Sequence, residues 1–277
     1  MKTSAHDRLD DFAVEEFTHA GYTYPVYRQG TGPGVVVIHE VPGVTPEVAD
    51  FARRVVDAGF TVFMPSLFGT PGKAFSPAYA AQQLAASCVR REFAVLAANR
   101  CSPVVDFLRG LCRAVHEELD GPIGAIGMCL TGNFALTLAV DEWMMAPVLS
   151  QPSLPLPPAG ALRRGLHIKP ADLARVRQRV EGEQLRVLGL RFTHDPACPG
   201  ARFGRLAEEL GEGFEAVEID SSPGNPHGIP RTAHSVVTKD LVDREGHPTR
   251  EALERVIGFF RERLETADRG RHAGETG

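Results

Sequence analysis

The stretch Gly127-Met128-Cys129-Leu130-Thr131-Gly132 places a thiol in a turn flanked by glycine, between the apolar run IGAIG and the helical run NFALTLAV. A nucleophile elbow has this form. Its strained strand-to-helix turn leaves no room for β-carbons around a central nucleophile, and it is usually written G-x-S-x-G. A cysteine there sits at a helix N-terminus, which favours thiolate and aims backbone N–H groups at developing negative charge. The ordinary alternative is a small buried core residue. Cys88, Cys101, Cys112 and Cys198 take that reading, Cys112 on the apolar face of a helix. Thr131 departs from the pattern: it stands where glycine is usual, and the β-branched residue reshapes the turn.

A thiol nucleophile needs a base, and the base needs an orienting acid. Asp195 follows the run LRVLGLRF closely, in THDPACP, with Pro196 and Pro199 fixing the turn. It is a candidate acid; the alternative is an Asp that caps the turn. His194 beside it is incidental. After FEAVEID, the segment SSPGNPHGIPRTAHSVVT holds His227 and His234, one a candidate base and the other a loop histidine. The order nucleophile, acid, histidine is that of α/β-hydrolases. Nearer the N-terminus, VVIHEVPGVTPE runs an apolar strand into Glu40. A carboxylate at the end of a core strand costs free energy unless it is paired or used, so Glu40 is either half of an ion pair with an arginine or part of the chemistry.

The elements that must hold these residues can be traced in order. EEFTHAGYTYPVYRQGTGPG is an N-terminal β-hairpin turning at Ala20-Gly21. GVVVIHE is β-branched and suited to a strand buried on both faces. Thr45 is an N-cap with Pro46 at the first helical position, and Val48, Phe51, Ala52, Val55 and Val56 share one face up to Gly59. FTVFMPSLF is the next strand. Ser102-Pro103 opens a helix with Val104, Leu108, Leu111, Cys112, Val115 and Leu119 on its apolar side. APVLSQPSLP is a strand entering a Pro-rich loop, KPADLARVRQRVEG an amphipathic helix, and LRVLGLRF and FEAVEID further strands. A last helix begins near Pro248. Strands alternating with helices give an α/β fold with a mostly parallel central sheet covered by helices on both faces, and ligands bind beyond the carboxyl ends of such strands.

With 277 residues and 43% hydrophobic content, the chain can bury one large core, read here as a single domain over residues 1–267 with a disordered tail at 268–277. A net charge of −5 argues against a nucleic-acid partner. No apolar run reaches the roughly 18 residues of a membrane span. The acidic start MKTSAHDRLDDFAVEEF lacks the apolar core of a signal peptide, which points to the cytoplasm. Five cysteines at irregular spacing, without C-x-x-C, argue against disulfides or zinc.

Over roughly residues 20–265 the chain resembles the dienelactone hydrolase family, cysteine-dependent α/β-hydrolases. The likeness rests on IHEVPGV, MPSLFG, the G-x-C-x-x-G elbow and the D-x-x-x-P turn at Asp195. It implies an α/β-hydrolase fold and cleavage of an ester or (enol-)lactone through Cys129, His234 and Asp195 with a thioester acyl-enzyme. The base is chosen by the spacing to an aromatic on the last helix, 25 residues from His234 to Phe259 against 32 from His227. The local Pro-Gly-x-x-His-Gly text instead favours His227. The resemblance also gives Glu40 a role, contacting the resting thiol and switching it to thiolate when substrate arrives. Fold position assigns the oxyanion hole to the backbone N–H groups of Val41 and Leu130. Relatives that act on dienelactone hold its carboxylate with an arginine; Arg90 and Arg91 lie in the corresponding region. No metal or organic cofactor is implied, and the partner is a small ester or lactone. The rival reading is a hydrolase-fold protein that binds a small molecule without turning it over.

Overall fold

The computed structural model describes residues 6–89, 103–154 and 159–265. Arg90, Arg91, Cys101, Ser102 and the 268–277 segment lie outside the described residues. β1 (Ala13–His19) and β2 (Tyr22–Gln29) form the hairpin, with Ala20 and Gly21 at φ of 52° and 80° in its turn. There follow β3 (Gly34–Ile38), α1 (Pro46–Asp57), β4 (Thr61–Pro65), α2 (Pro77–Val89), α3 (Pro103–Leu119), β5 (Ile123–Met128), α4 (Gly132–Leu138), β6 (Met144–Ser150), α5 (Pro170–Gly182), β7 (Val187–Phe192), α6 (Gly200–Leu210), β8 (Phe214–Ile219) and α7 (Pro248–Phe260). The Thr45 hydroxyl caps α1 by accepting from Val48 N–H, and Pro46 sits in the first turn.

Two helices were not expected from the sequence. α2 is alanine-rich and shows no apolar stripe, while α6 carries Gly204 at mid-length and buries chiefly Phe203, Leu206 and Leu210.

Among the described residues the strands make one eight-stranded sheet in the order β1-β2-β4-β3-β5-β6-β7-β8. β1 with β2 and β2 with β4 run antiparallel, and the other neighbours are parallel. Alternate residues of a strand face opposite sides. Val35 and Val37 therefore pack with Phe51 and Val55 of α1 and Val256 of α7, while Val36 and Ile38 pack with Leu108, Leu111 and Val115 of α3. With both faces covered, β3 must be apolar throughout.

The direction of winding reverses at β3, with β4 on one side and β5 on the other. Ligands bind in the crevice above such a switch point. Ile38 pairs with Gly127, so the residues that follow each strand, Glu40 and Val41 on one side and Cys129 and Leu130 on the other, emerge next to each other.

Thr131 ties this junction together. Its buried hydroxyl lies 3.0 Å from the carbonyls of both Ile38 and His39 and 2.9 Å from that of Met128, and it accepts from Met128 N–H at 3.0 Å. A single hydroxyl proton serves those three carbonyls in turn. Space is tight: a Cβ at Gly127 would lie 2.2 Å from Thr131 O, and one at Gly132 would lie 2.9 Å from Pro152 Cα. The departure from the usual elbow text is thus a strand-to-elbow tie. Thr131→Val keeps the shape but strands the Met128 N–H, and should lower stability by about 1–3 kcal/mol in urea unfolding. Thr131→Ser keeps the hydroxyl and should lose less.

Candidate active site

Cys129 follows the last residue of β5 and opens a short 3₁₀ turn, Cys129–Thr131, that leads into α4. Its φ is +56°, in the left-handed region that residues with a side chain rarely occupy. This geometry leaves the thiol half-buried at the switch point, whereas Cys112 and Cys198 are fully buried. Burial pushes both of those thiols up, Cys198 to about 12. They are core residues, as the sequence indicated; the side chain of Cys88 is outside the description.

Asp195, in the turn after β7, is buried, and its two oxygens are both engaged. Oδ1 accepts from Ala197 N–H at 2.9 Å, and Oδ2 lies 2.7 Å from His234 Nδ1. A carboxylate at this position can only accept, so Nδ1 carries the proton and Nε2 is left for the thiol. The Cys129 sulfur lies near enough to the His234 imidazole to act on its charge. Burial opposes charge on His234, but the Cys129 sulfur and the Asp195 carboxylate outweigh it and hold the imidazole well above its ordinary value. The histidine loop is pinned by Asp240, whose Oδ2 accepts from the N–H groups of His234 and Ser235 at 2.8 and 2.9 Å.

The structure thus brings Cys129, His234 and Asp195 together. His227 is placed elsewhere, in an exposed turn where its N–H donates to Asn225 Oδ1 and its ring stands edge-on to His247 at 5.3 Å. His194 is likewise exposed, beside the Thr193 hydroxyl.

Glu40 is buried past the end of β3, and its surroundings differ from both expectations. Oε2 accepts from Ser235 Oγ at 2.7 Å and from Gln151 Nε2 at 3.3 Å, and Oε1 accepts from the Thr238 hydroxyl. Among the described residues no arginine or lysine forms a salt bridge with it, and its hydrogen bonds go to Ser235, Gln151 and Thr238, not to Cys129. With both oxygens held by the histidine loop and Gln151, the carboxylate is not turned to the thiol. Burial raises its affinity for a proton, opposed by the Thr238 and Ser235 hydrogen bonds and the nearby His234 charge.

The Cys129 sulfur instead meets Ser153, whose Oγ lies 3.1 Å away. His39, next to Glu40, is buried between Leu67 N–H at Nε2 and the Glu40 carbonyl at Nδ1; burial holds it near a pKa of about 4, so it is a neutral structural residue. Val41 follows the end of β3 and Leu130 follows Cys129 in the first turn after the elbow, where N–H groups lack intrahelical acceptors, and both share an apolar cluster with Cys129.

Ser153, Gln151, Thr238 and Asp240 escaped the sequence reading. The available signal was a cluster of polar residues, Ser150-Gln151-Pro152-Ser153, directly after an apolar strand. A cavity of 560 Å³ between α5 and α6, lined by Arg177, Arg186, Glu208 and Arg263, touches none of these side chains.

The dienelactone hydrolase family model matches residues 20–264. The chain belongs to the dienelactone hydrolase family. The Anabaena variabilis dienelactone hydrolase is similar in fold, with a TM-score of 0.57 and 15% identity over 91% of this chain and 98% of that one. So is P91, a dienelactone hydrolase-like promiscuous phosphotriesterase from metagenomic libraries, with a TM-score of 0.58 and 18% identity over 91% of this chain and 98% of that one. The hydrolase fragment YghX of Escherichia coli (strain K12) is 42% identical over 52 residues, 17% of this chain; the match spans 44% of that relative's length.

Because Glu40 binds a proton more tightly in the folded state, its contribution to stability is complete below its ordinary value near 4.5 and is lost as pH rises through the folded value. Glu40→Gln has no such titration. The stability of the wild type relative to Glu40→Gln should therefore decline from pH 5 to pH 8 in urea unfolding. A difference that stays level over that range would show that Glu40 is not held in the proton-favouring environment described.

Proposed function

We propose that this family member hydrolyses a small carboxylic ester or lactone through a covalent thioester on Cys129. The observation that carries the reading is the His234 imidazole, anchored to Asp195 at 2.7 Å, with the Cys129 sulfur near enough to raise its affinity for a proton.

In this mechanism His234 takes the thiol proton, and the Cys129 sulfur attacks the acyl carbon. The N–H groups of Leu130 and Val41 receive the oxyanion, where preorganised donors are commonly worth about 10²–10³ in rate. The carbon–oxygen bond then breaks as His234 returns the proton to the leaving oxygen. Water, deprotonated by the same imidazole, cleaves the thioester and restores the thiol. Asp195 keeps the tautomer correct throughout and stabilises the imidazolium. Every step uses groups of the chain and water. The setting we infer is the cytoplasm, with small neutral or anionic esters, including enol-lactones, as partners.

A panel of activated esters, thioesters and enol-lactones tests the class of substrate. Cys129→Ala should abolish turnover by several orders of magnitude while the circular-dichroism spectrum is unchanged, since members of such a unit act together. Mass spectrometry of the wild type with a slow ester should show an acyl adduct on the peptide containing Cys129; turnover surviving in Cys129→Ala would end the covalent mechanism. His234→Asn should lower the rate nearly as far, and His227→Asn should leave it within about twofold, because His227 sits on the surface away from Asp195. The opposite ranking would move the base to His227.

A further inference from the structure

Ser153 lies in the segment after β6, and the structure holds it from several sides. Its N–H donates to the Cys129 carbonyl at 3.0 Å, and its own carbonyl accepts from Asn133 Nδ2 at 2.7 Å. The preceding carbonyl, of Pro152, accepts from the guanidinium of Arg202, itself buried at the start of α6. Elbow, α4 and α6 thus converge on one serine and press its hydroxyl against the Cys129 sulfur at 3.1 Å.

Ser153 is buried, 1% exposed, and among the described residues its hydroxyl hydrogen-bonds the Cys129 sulfur alone. A buried hydroxyl without an acceptor is costly. A thiol is a weak acceptor, whereas a thiolate accepts strongly, as charged acceptors do. The hydroxyl's hydrogen bond is therefore stronger when the sulfur carries the charge than when it does not. Glu40, whose oxygens are taken by Ser235, Thr238 and Gln151, does not compete for this position.

We propose that Ser153 is a further catalytic residue, donating its hydroxyl hydrogen bond to the Cys129 thiolate that forms when His234 takes the thiol proton. This rests on Cys129 being the nucleophile. His234 removes the thiol proton, Ser153 keeps its own, and the donation weakens as the sulfur's charge passes to the acyl oxygen during attack. The serine thus sets how readily the thiolate forms.

The test is the pH profile of iodoacetamide alkylation at Cys129, read by peptide mass spectrometry, on wild type, Ser153→Ala and Ser153→Thr. The midpoint of the Ser153→Ala profile should move to higher pH, and its rate at pH 7 should fall about tenfold, the effect of losing a hydrogen bond to a charged group. Ser153→Thr keeps the donor and should stay within about threefold of wild type. A fall at every pH with an unmoved midpoint means a structural role and overturns the proposal, as does a threonine variant as slow as the alanine one. Loss of the folded circular-dichroism spectrum in Ser153→Ala overturns it too. If wild-type Cys129 reacts no faster than Cys112 and Cys198, the nucleophile assignment itself has failed, and that result is separate from any effect of Ser153.

Discussion

The pairing of Ile38 with Gly127 across β3 and β5 is the constraint on which the site depends. A shift of that register by one residue would turn every side chain of β3 to the other face and carry Glu40 and Val41 away from the elbow. The register is enforced twice. Alternate residues of β3 must enter two different apolar clusters, and the Thr131 hydroxyl reaches across from the elbow to the carbonyls that end β3. Packing and a polar tie select the same alignment.

Above that junction the structure manages several polar groups in a dry setting. Each is met by fixed donors or acceptors. Asp195 has Ala197 N–H and His234, Glu40 has two hydroxyls and an amide, and the backbone of the histidine loop has Asp240. Such networks are costly when half-made and rigid when complete. Here completeness links Glu40 to the loop bearing His234 through Ser235 and Thr238. The carboxylate at the end of β3 is thereby tied to the loop that carries His234, while the Cys129 sulfur meets Ser153.

Legibility followed the range of the interactions. Strands showed as β-branched runs, α1 and α3 as apolar stripes, and the elbow and the Asp195 turn as short texts whose glycines and prolines have local steric meaning. The resemblance to dienelactone hydrolases ordered these pieces and preferred His234 over His227. α2 was missed because its alanines leave no stripe to mark a helix face; α6 does carry one, Phe203, Leu206 and Leu210, and was overlooked beside the Asp195 turn. The partners of Glu40 could not be read at all. Ser235 and Thr238 lie nearly two hundred residues away in the chain, and Gln151 is marked only by being polar at a strand end. Ser153 is invisible for the same reason: its closeness to Cys129 is made by the convergence of three elements, none of which carries a motif for it.

The left-handed backbone at Cys129 also limits which side chains position 129 can carry. At φ of +56° a side chain branched at Cβ is driven against its own main chain, and the crowding at Gly127 and Gly132 leaves the elbow no slack to relax. Threonine is thereby barred, although its hydroxyl is chemically competent. Serine differs from cysteine by one atom and fits the same backbone. Exchange between sulfur and oxygen at this position therefore needs no change in the backbone that carries it.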